Sequence, residues 1–290
     1  MSVRPAAGGW GAEGCTVRFT SARGVVTALS DISLAVPRGQ VTAVVGGDGA
    51  GKTTLLRVLA GRVIPGSGRV SAPDAHDMGF MPSASGVWRE LTVDENLEFV
   101  GRAYGVRGAR LAARRRTLLE RADLLDAADR LSGRLSGGMR QKLGFCLAMI
   151  HEPELLILDE PSTGVDPVSR VELWRMIAET AATGRAVVMS TTYLDEAERV
   201  ASVLVLDGGY ALYAGDPRNI GSAVPGCVVR GAAAVVAGQA AWRRGPETHA
   251  WFAAEVPAGS EGVADPDMED AVIALTLAHD ARAADPRAAT

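Results

Sequence analysis

Lysine is almost missing from this chain of 290 residues: Lys52 and Lys142 are the only two, and arginine supplies the rest of the positive side chains. A sequence with that preference keeps lysine where a compact ammonium is wanted instead of a planar guanidinium fork. Cysteine is scarce as well. Cys15, Cys146 and Cys227 are odd in number, far apart and without a CxxC pair, which speaks against a disulfide framework or a zinc site and for a reducing cytosol. The four histidines, His76, His151, His249 and His279, are equally scattered, so no metal-ligand spacing is present. No apolar run approaches the roughly 18 residues of a membrane span. Runs such as VTAVVG at 41–46 and LLIL at 155–158 have the length of buried strands. The opening MSVRPAAGGWGAEG lacks the continuous apolar core of a signal peptide, so export is not expected. A net charge of −4 is not the strongly basic balance of a dedicated nucleic-acid binder.

What is present is enough chain to bury a sizeable core, as one large domain or one domain with an extension. Lys52 stands in GGDGAGKTT, residues 46–54, between the strand-like VTAVV and the helically spaced LLRVLAGR. In this loop Gly46, Gly47, Asp48, Gly49, Ala50 and Gly51 let backbone N–H groups close around phosphate oxygens, and the helix start adds its positive dipole end. Lys52 reaches the terminal phosphates; Thr53 offers a hydroxyl to magnesium, and Thr54 completes the set of nucleotide-binding residues.

A second element, LLILDEPSTGVDP at 155–167, is an apolar strand that delivers two adjacent carboxylates at its carboxyl end, where ligands bind in open α/β sheets. Asp159 is placed to hold magnesium, and Glu160 to polarise a water that attacks the terminal phosphate. A third, LSGGMRQKL at 135–143, presents Ser136, Gly137 and Gly138 at another helix start, a second anion site by the same physics. Two phosphate-binding helix starts with one pair of carboxylates are best reconciled by a dimer, in which the Ser-Gly-Gly face of one copy closes on nucleotide held by the other.

In this order and spacing the three elements resemble the nucleotide-binding subunit of ATP-binding cassette (ABC) transporters, over roughly residues 15–220. LSGGMRQKL, PSTGVDPVSR and the single cassette look most like the ATPase subunits of ABC-2-type exporters, drug-resistance pumps among them. The resemblance implies an α/β P-loop NTPase cassette: a RecA-like core with an antiparallel β subdomain and a helical subdomain at about 84–150. A disordered N-terminal tail at 1–14 and a small C-terminal extension at 221–290 would flank it. It also implies ATP and Mg2+ as ligands, a second ATPase subunit, a homodimer for preference, and a separate membrane permease holding the chain at the cytoplasmic side of the membrane. Asp166 falls in the loop that contacts the partner site. Phe19 sits near an adenine-stacking aromatic, or is an ordinary strand aromatic. Thr92 and Glu95 form a capping box where the helical subdomain begins. The arginines at 114–116 read as a solvated face, with a lipid-headgroup contact as the rival.

Two positions depart from the family pattern. Ser83 stands where a glutamine is common, and Thr192, in STTYLDEAE at 190–198, stands where a histidine often contacts the terminal phosphate. A threonine donates one hydrogen bond but carries no charge. In the same stretch Thr191 or Thr192 is expected to cap the acidic helix that follows. These departures motivate the alternative of a degenerate, regulatory ATP-binding half with weak hydrolysis, which the intact Asp159–Glu160 pair opposes. A soluble cassette acting on ribosomes or DNA fits the acidic balance poorly. The tail, with MEDAVIALT late in it, either supports dimer contacts or regulation or is a packing appendage.

Overall fold

A computed structural model describes residues 9–22, 24–230, 240–253, 261–263 and 266–284. Strands β1 (Trp10–Ser21) and β2 (Gly24–Val36) form a long antiparallel hairpin. After β3 (Val41–Val45) and helix α1 (Lys52–Leu59), strand β4 (Ser67–Ser71) adds to the free edge of β1. Because β1 begins at Trp10, residues 10–14 belong to this sheet and not to a tail; Ala12 pairs with Leu34 and buries its side chain completely. Residues 1–8 of the expected tail lie outside the described residues.

The second sheet has six strands. Those not yet introduced are β5 (Met78–Met81), β6 (Leu155–Asp159), β7 (Ala186–Thr191), β8 (Ser202–Asp207) and β9 (Tyr210–Gly215), and the order is β5-β6-β7-β3-β8-β9. All neighbours are parallel except β8 and β9. β3, β6 and β7 are buried at every position, as parallel strands covered on both faces must be. Alternate residues of β3 serve different layers: Val44 packs with α1 and the hairpin, Ala43 and Val45 with the helices opposite.

Those helices are α2 (Val93–Ala103), α3 (Gly108–Arg121), α4 (Gly137–Met149), α5 (Pro167–Ala182) and the single turn α6 (Leu194–Ala197). Thr92 and Glu95 form the expected capping box at α2. Buried Asn96 then ties this helix to its approach loop, donating to Trp88 O at 3.0 Å, Thr92 O at 2.8 Å and Ser132 Oγ at 3.0 Å. The arginine triplet on α3 is not a free basic face. Arg114 donates to Met149 O at 2.9 Å and Ile150 O at 3.4 Å, closing the carbonyl end of α4. Arg115 pairs with Asp94 and Glu98, and Arg116 with Glu120. Arg114 and Arg115 are largely covered and committed to partners inside the molecule, which leaves Arg116 alone of the three as a solvated arginine, paired to Glu120 of its own helix.

Beyond β9, strands β10 (Cys227–Arg230), β11 (Ala241–Arg244), β12 (Glu247–Phe252) and β13 (Glu261–Val263) form an antiparallel sheet in the order β11-β12-β10-β13, followed by α7 (Met268–Ala284). The small sheet buries a cluster of its own, Val229, Ala250 and Phe252, but the boundary expected at residue 220 does not detach the extension from the cassette. Met268, Ala271 and Leu275 of α7 join the main apolar core. From the same helix the fully buried Asp270 accepts from Trp242 Nε1 at 3.2 Å and lies 2.7 Å from His249 Nδ1 of the small sheet.

Candidate active site

Strand pairing aligns three carboxyl ends. Val45 lies opposite Thr191, and Asp159 opposite Ser190, so the Gly-rich loop, the two carboxylates and the hydroxyl run all leave the sheet at one edge. The loop has a backbone that tolerates little else. At Gly51, φ is +106° and a Cβ would meet Ala28 O at 2.6 Å; at Gly46 it would meet Leu206 O at 2.3 Å. Over Gly47 and Gly49 the space is open. The result is a cavity of about 410 Å³ lined by residues 47–54 with Val26, Thr27, Ala28, Glu160 and Gly208. Lys52, only 4% exposed, donates to Gly46 O at 2.8 Å and Gly47 O at 3.1 Å, and lies 3.3 Å from Glu160 Oε1.

Asp159 is buried and its Oδ1 gathers two hydroxyls, Thr53 Oγ1 at 3.0 Å and Ser190 Oγ at 2.8 Å. This is an all-oxygen set of the kind a hard dication takes. Among the described residues no group of three or more His, Cys, Asp or Glu could hold a metal ion. Glu160 has φ +49°, a left-handed backbone rare outside glycine. Its N–H donates to Ser190 Oγ at 2.9 Å and its Oε2 accepts from Thr163 Oγ1 at 3.1 Å. A strained backbone fixed by two hydroxyls directs the second carboxylate into the cavity beside Lys52.

Ser136, the N-cap of α4, accepts from Met139 N–H at 3.2 Å, while Gly137 stays exposed. Gly138 is buried because the start of α5 presses on it: a Cβ there would meet Ser169 Oγ at 2.4 Å and Asp166 Oδ2 at 3.2 Å. Asp166 caps α5, accepting from Val168 and Ser169 N–H groups, and the Ser169 bond holds its carboxyl below the usual aspartate range. The second lysine anchors the same junction, Lys142 of α4 reaching Glu172 of α5 at 2.9 Å.

Other expected positions are distributed differently. Phe19 stands in β1 opposite Val26, its ring 47% exposed and one strand away from the cavity lining. Ser83 follows β5 and is exposed; its carbonyl accepts from Gln141 Nε2 of α4 at 3.5 Å. In the hydroxyl run the three side chains have three different surroundings. Ser190 braces Asp159 and Glu160; buried Thr191 donates to buried Glu196 at 2.6 Å and accepts from Tyr193 N–H at 3.0 Å; Thr192 is exposed where the strand ends. Neither threonine takes the N-cap place of α6, which Tyr193 holds without a side-chain cap, because Thr191 points inward to Glu196. The sequence reading overlooked Ser190, Thr163 and Gln141. Of these only Ser190 carried a signal, a polar residue closing an otherwise apolar strand.

The family model described as ABC transporter matches residues 29–163, from β2 past both carboxylates. The chain is 42% identical over 212 residues to the probable multidrug ABC transporter ATP-binding protein YbhF of Escherichia coli (strain K12), covering 69% of this chain and 36% of that protein, so it spans little more than a third of that relative's length. It is 36% identical over 217 residues to the Nod factor export ATP-binding protein I of Cupriavidus pinatubonensis, covering 71% of this chain and 67% of that one. A solved ATP-binding subunit of an ABC transporter superposes with a TM-score of 0.65 at 28% identity, covering 73% of this chain and 91% of its own. Because that similarity extends over the phosphate loop, the acidic strand end and the second helix start, the chain belongs to the ABC transporter family of ATP-binding proteins.

Proposed function

We propose that the chain is the ATP-hydrolysing subunit of an exporter, working on the cytoplasmic side of the membrane for a separate permease. The observation that carries this is the meeting of Lys52, Thr53 and Glu160 at one cavity, the cation 3.3 Å from the carboxylate and Asp159 bonded to Thr53 behind it. Lys52 and the N–H groups of residues 47–54 bind the phosphates; Thr53 and Asp159 would hold magnesium, which when bound would supply charge neutralisation to the phosphates. Glu160 orients water and accepts its proton, and Thr192 donates to the terminal phosphate. Phe19 is assigned to the adenine face and Ser83 to the loop facing the attacking water. Ser136, Gly137, Gly138 and Asp166 serve the nucleotide of a second subunit, a homodimer being the simplest assembly.

The similarity to proteins named for multidrug and Nod factor export supports an exporter. Among the described residues no helix is long and apolar enough to cross a membrane, in keeping with a separate permease. No partnership with nucleic acid is assigned. Single-turnover hydrolysis of ATP by the purified chain, with and without EDTA, tests the reading. A magnesium-dependent burst supports it. Binding without a burst would instead make the chain the regulatory half of an unequal pair, the reading that Ser83 and Thr192 favour.

A further inference from the structure

Thr192 is flanked by two residues that are each fixed. On one side Thr191 is held by buried Glu196. On the other, Tyr193 is held at its N–H by Thr191 Oγ1 and at its ring by a guanidinium, Arg170 Cζ lying 4.6 Å from the ring centroid. The same guanidinium reaches Asp195 Oδ2 at 3.1 Å. Arg170 stands one turn into α5, its N–H donating to Asp166 O at 2.9 Å, and its side chain is 27% exposed. One side chain therefore strides from the helix capped by Asp166 to both sides of the α6 start. Stacking and ion pairing use different properties of the guanidinium, its flat face and its edge, so they do not compete.

We propose that Arg170 is a positioning residue for hydrolysis. It holds the residue 191–195 turn so that the Thr192 hydroxyl faces the terminal phosphate, and it makes that placement depend on where the Asp166 loop sits. The proposal rests on the role given to Thr192 above. A shift of α5 at its first turn moves Tyr193 and Asp195 with it, and Thr192, lying between two fixed residues, follows. The phosphate cradle is held by other bonds, Lys52 reaching Gly46 O, Gly47 O and Glu160 while Arg170 reaches Asp195 and the Tyr193 ring.

The test measures steady-state hydrolysis by Arg170→Ala, Arg170→Lys, Thr192→Ala and the Arg170→Ala/Thr192→Ala pair, with deuterium uptake of each variant's native chain. Arg170→Ala is expected to lower kcat about tenfold with KM for ATP unchanged, because a displaced contact acts on turnover and not on binding. Arg170→Lys, which keeps the charge and loses the flat fork, is expected to fall between. The double variant is expected to be no slower than Thr192→Ala, the signature of two residues acting through one contact. Uptake rises at 190–199 in Arg170→Ala and stays constant at 46–55. Wild-type turnover in Arg170→Ala beside a slow Thr192→Ala overturns the connection, as do losses that multiply in the double variant or unchanged uptake at 190–199. Wild-type turnover in Thr192→Ala overturns the role of Thr192 itself and this use of Arg170 with it.

Discussion

Lys52 Nζ lies 3.3 Å from Glu160 Oε1, so the cation of the phosphate loop and the carboxylate just past β6 pair directly at the wall of the cavity a terminal phosphate would enter. Glu160 thus brings an oxygen acceptor to the wall of that cavity, which is what a base for water needs. Glu160→Gln preserves shape and removes the base. Its kcat is expected to fall by about 100-fold or more, while equilibrium binding of ATP, measured by fluorescence or calorimetry, stays near the wild-type value.

Lys52 is the lysine an arginine-preferring sequence retained, and it is almost wholly buried between its loop's own carbonyls and Glu160. A guanidinium is larger, planar and unable to act as a point charge in that space. Lys52→Arg is therefore expected to behave as a loss and not as a conservative change, with nucleotide affinity weakened by about tenfold or more. Titration with ATP under conditions that block turnover checks this; unaltered affinity would remove the ammonium from the site.

Thr192 leaves β7 beside the phosphate loop as an exposed hydroxyl. Thr192→His adds a group that carries charge near neutral pH. Turnover is expected to rise by a few fold, up to about tenfold, and to acquire a rising or falling limb between about pH 6 and 7 that the wild type lacks. A pH profile of kcat for both proteins separates this from a change in binding.

Arg114 closes the last carbonyls of α4 from the neighbouring α3, and burial weakens its hold on its proton. Arg114→Ala leaves those carbonyls without their charged donor. Denaturant titration is expected to give a loss of about 1.5–3 kcal/mol, the usual range for a hydrogen bond to a charged group. Binding to anionic vesicles is expected not to change, since the guanidinium is already committed.

Burial pushes the Cys146 thiol up to about 12. The unfolded chain releases that proton near the ordinary thiol range and the folded chain does not, so the folded state holds more protons between roughly pH 9 and 12. Stability is therefore complete below this window and declines as pH rises through it. Thermal unfolding of the wild type and Cys146→Ala from pH 7 to 10.5 is expected to show a shallower decline in the variant. At pH 8.5 the native protein should resist alkylation at Cys146 until denaturant is added.

Much of the site could be read from residue order alone, because the phosphate loop and the acidic strand end are local: each is a few consecutive residues whose backbone does the work. The capping box at Thr92 and Glu95 is local in the same sense. What escaped was everything decided by partners far along the chain. Ser190 braces Asp159 from 31 residues away, Gln141 meets Ser83 from 58 residues away, and Arg114 and Arg115 pair with carboxylates of a distant loop and another helix. A hydroxyl or a guanidinium in sequence does not declare whether it points to solvent or to a distant acceptor. The three hydroxyls of STT looked like one feature and meet three different surroundings, since successive strand residues point to opposite faces and the strand ends at the second of them.

The last helix has a practical meaning for anyone cutting or grafting this protein. α7 contributes Met268, Ala271 and Leu275 to the layer that also contains Val41 and Val203, while its Asp270 is sealed inside the small sheet. It works as a rivet through two plates. An expression boundary placed after residue 220, where composition suggests a natural seam, would pull that rivet out and leave an open wound in the ATP-binding half; the piece that remained would be sticky, and a chimera made there would inherit the defect.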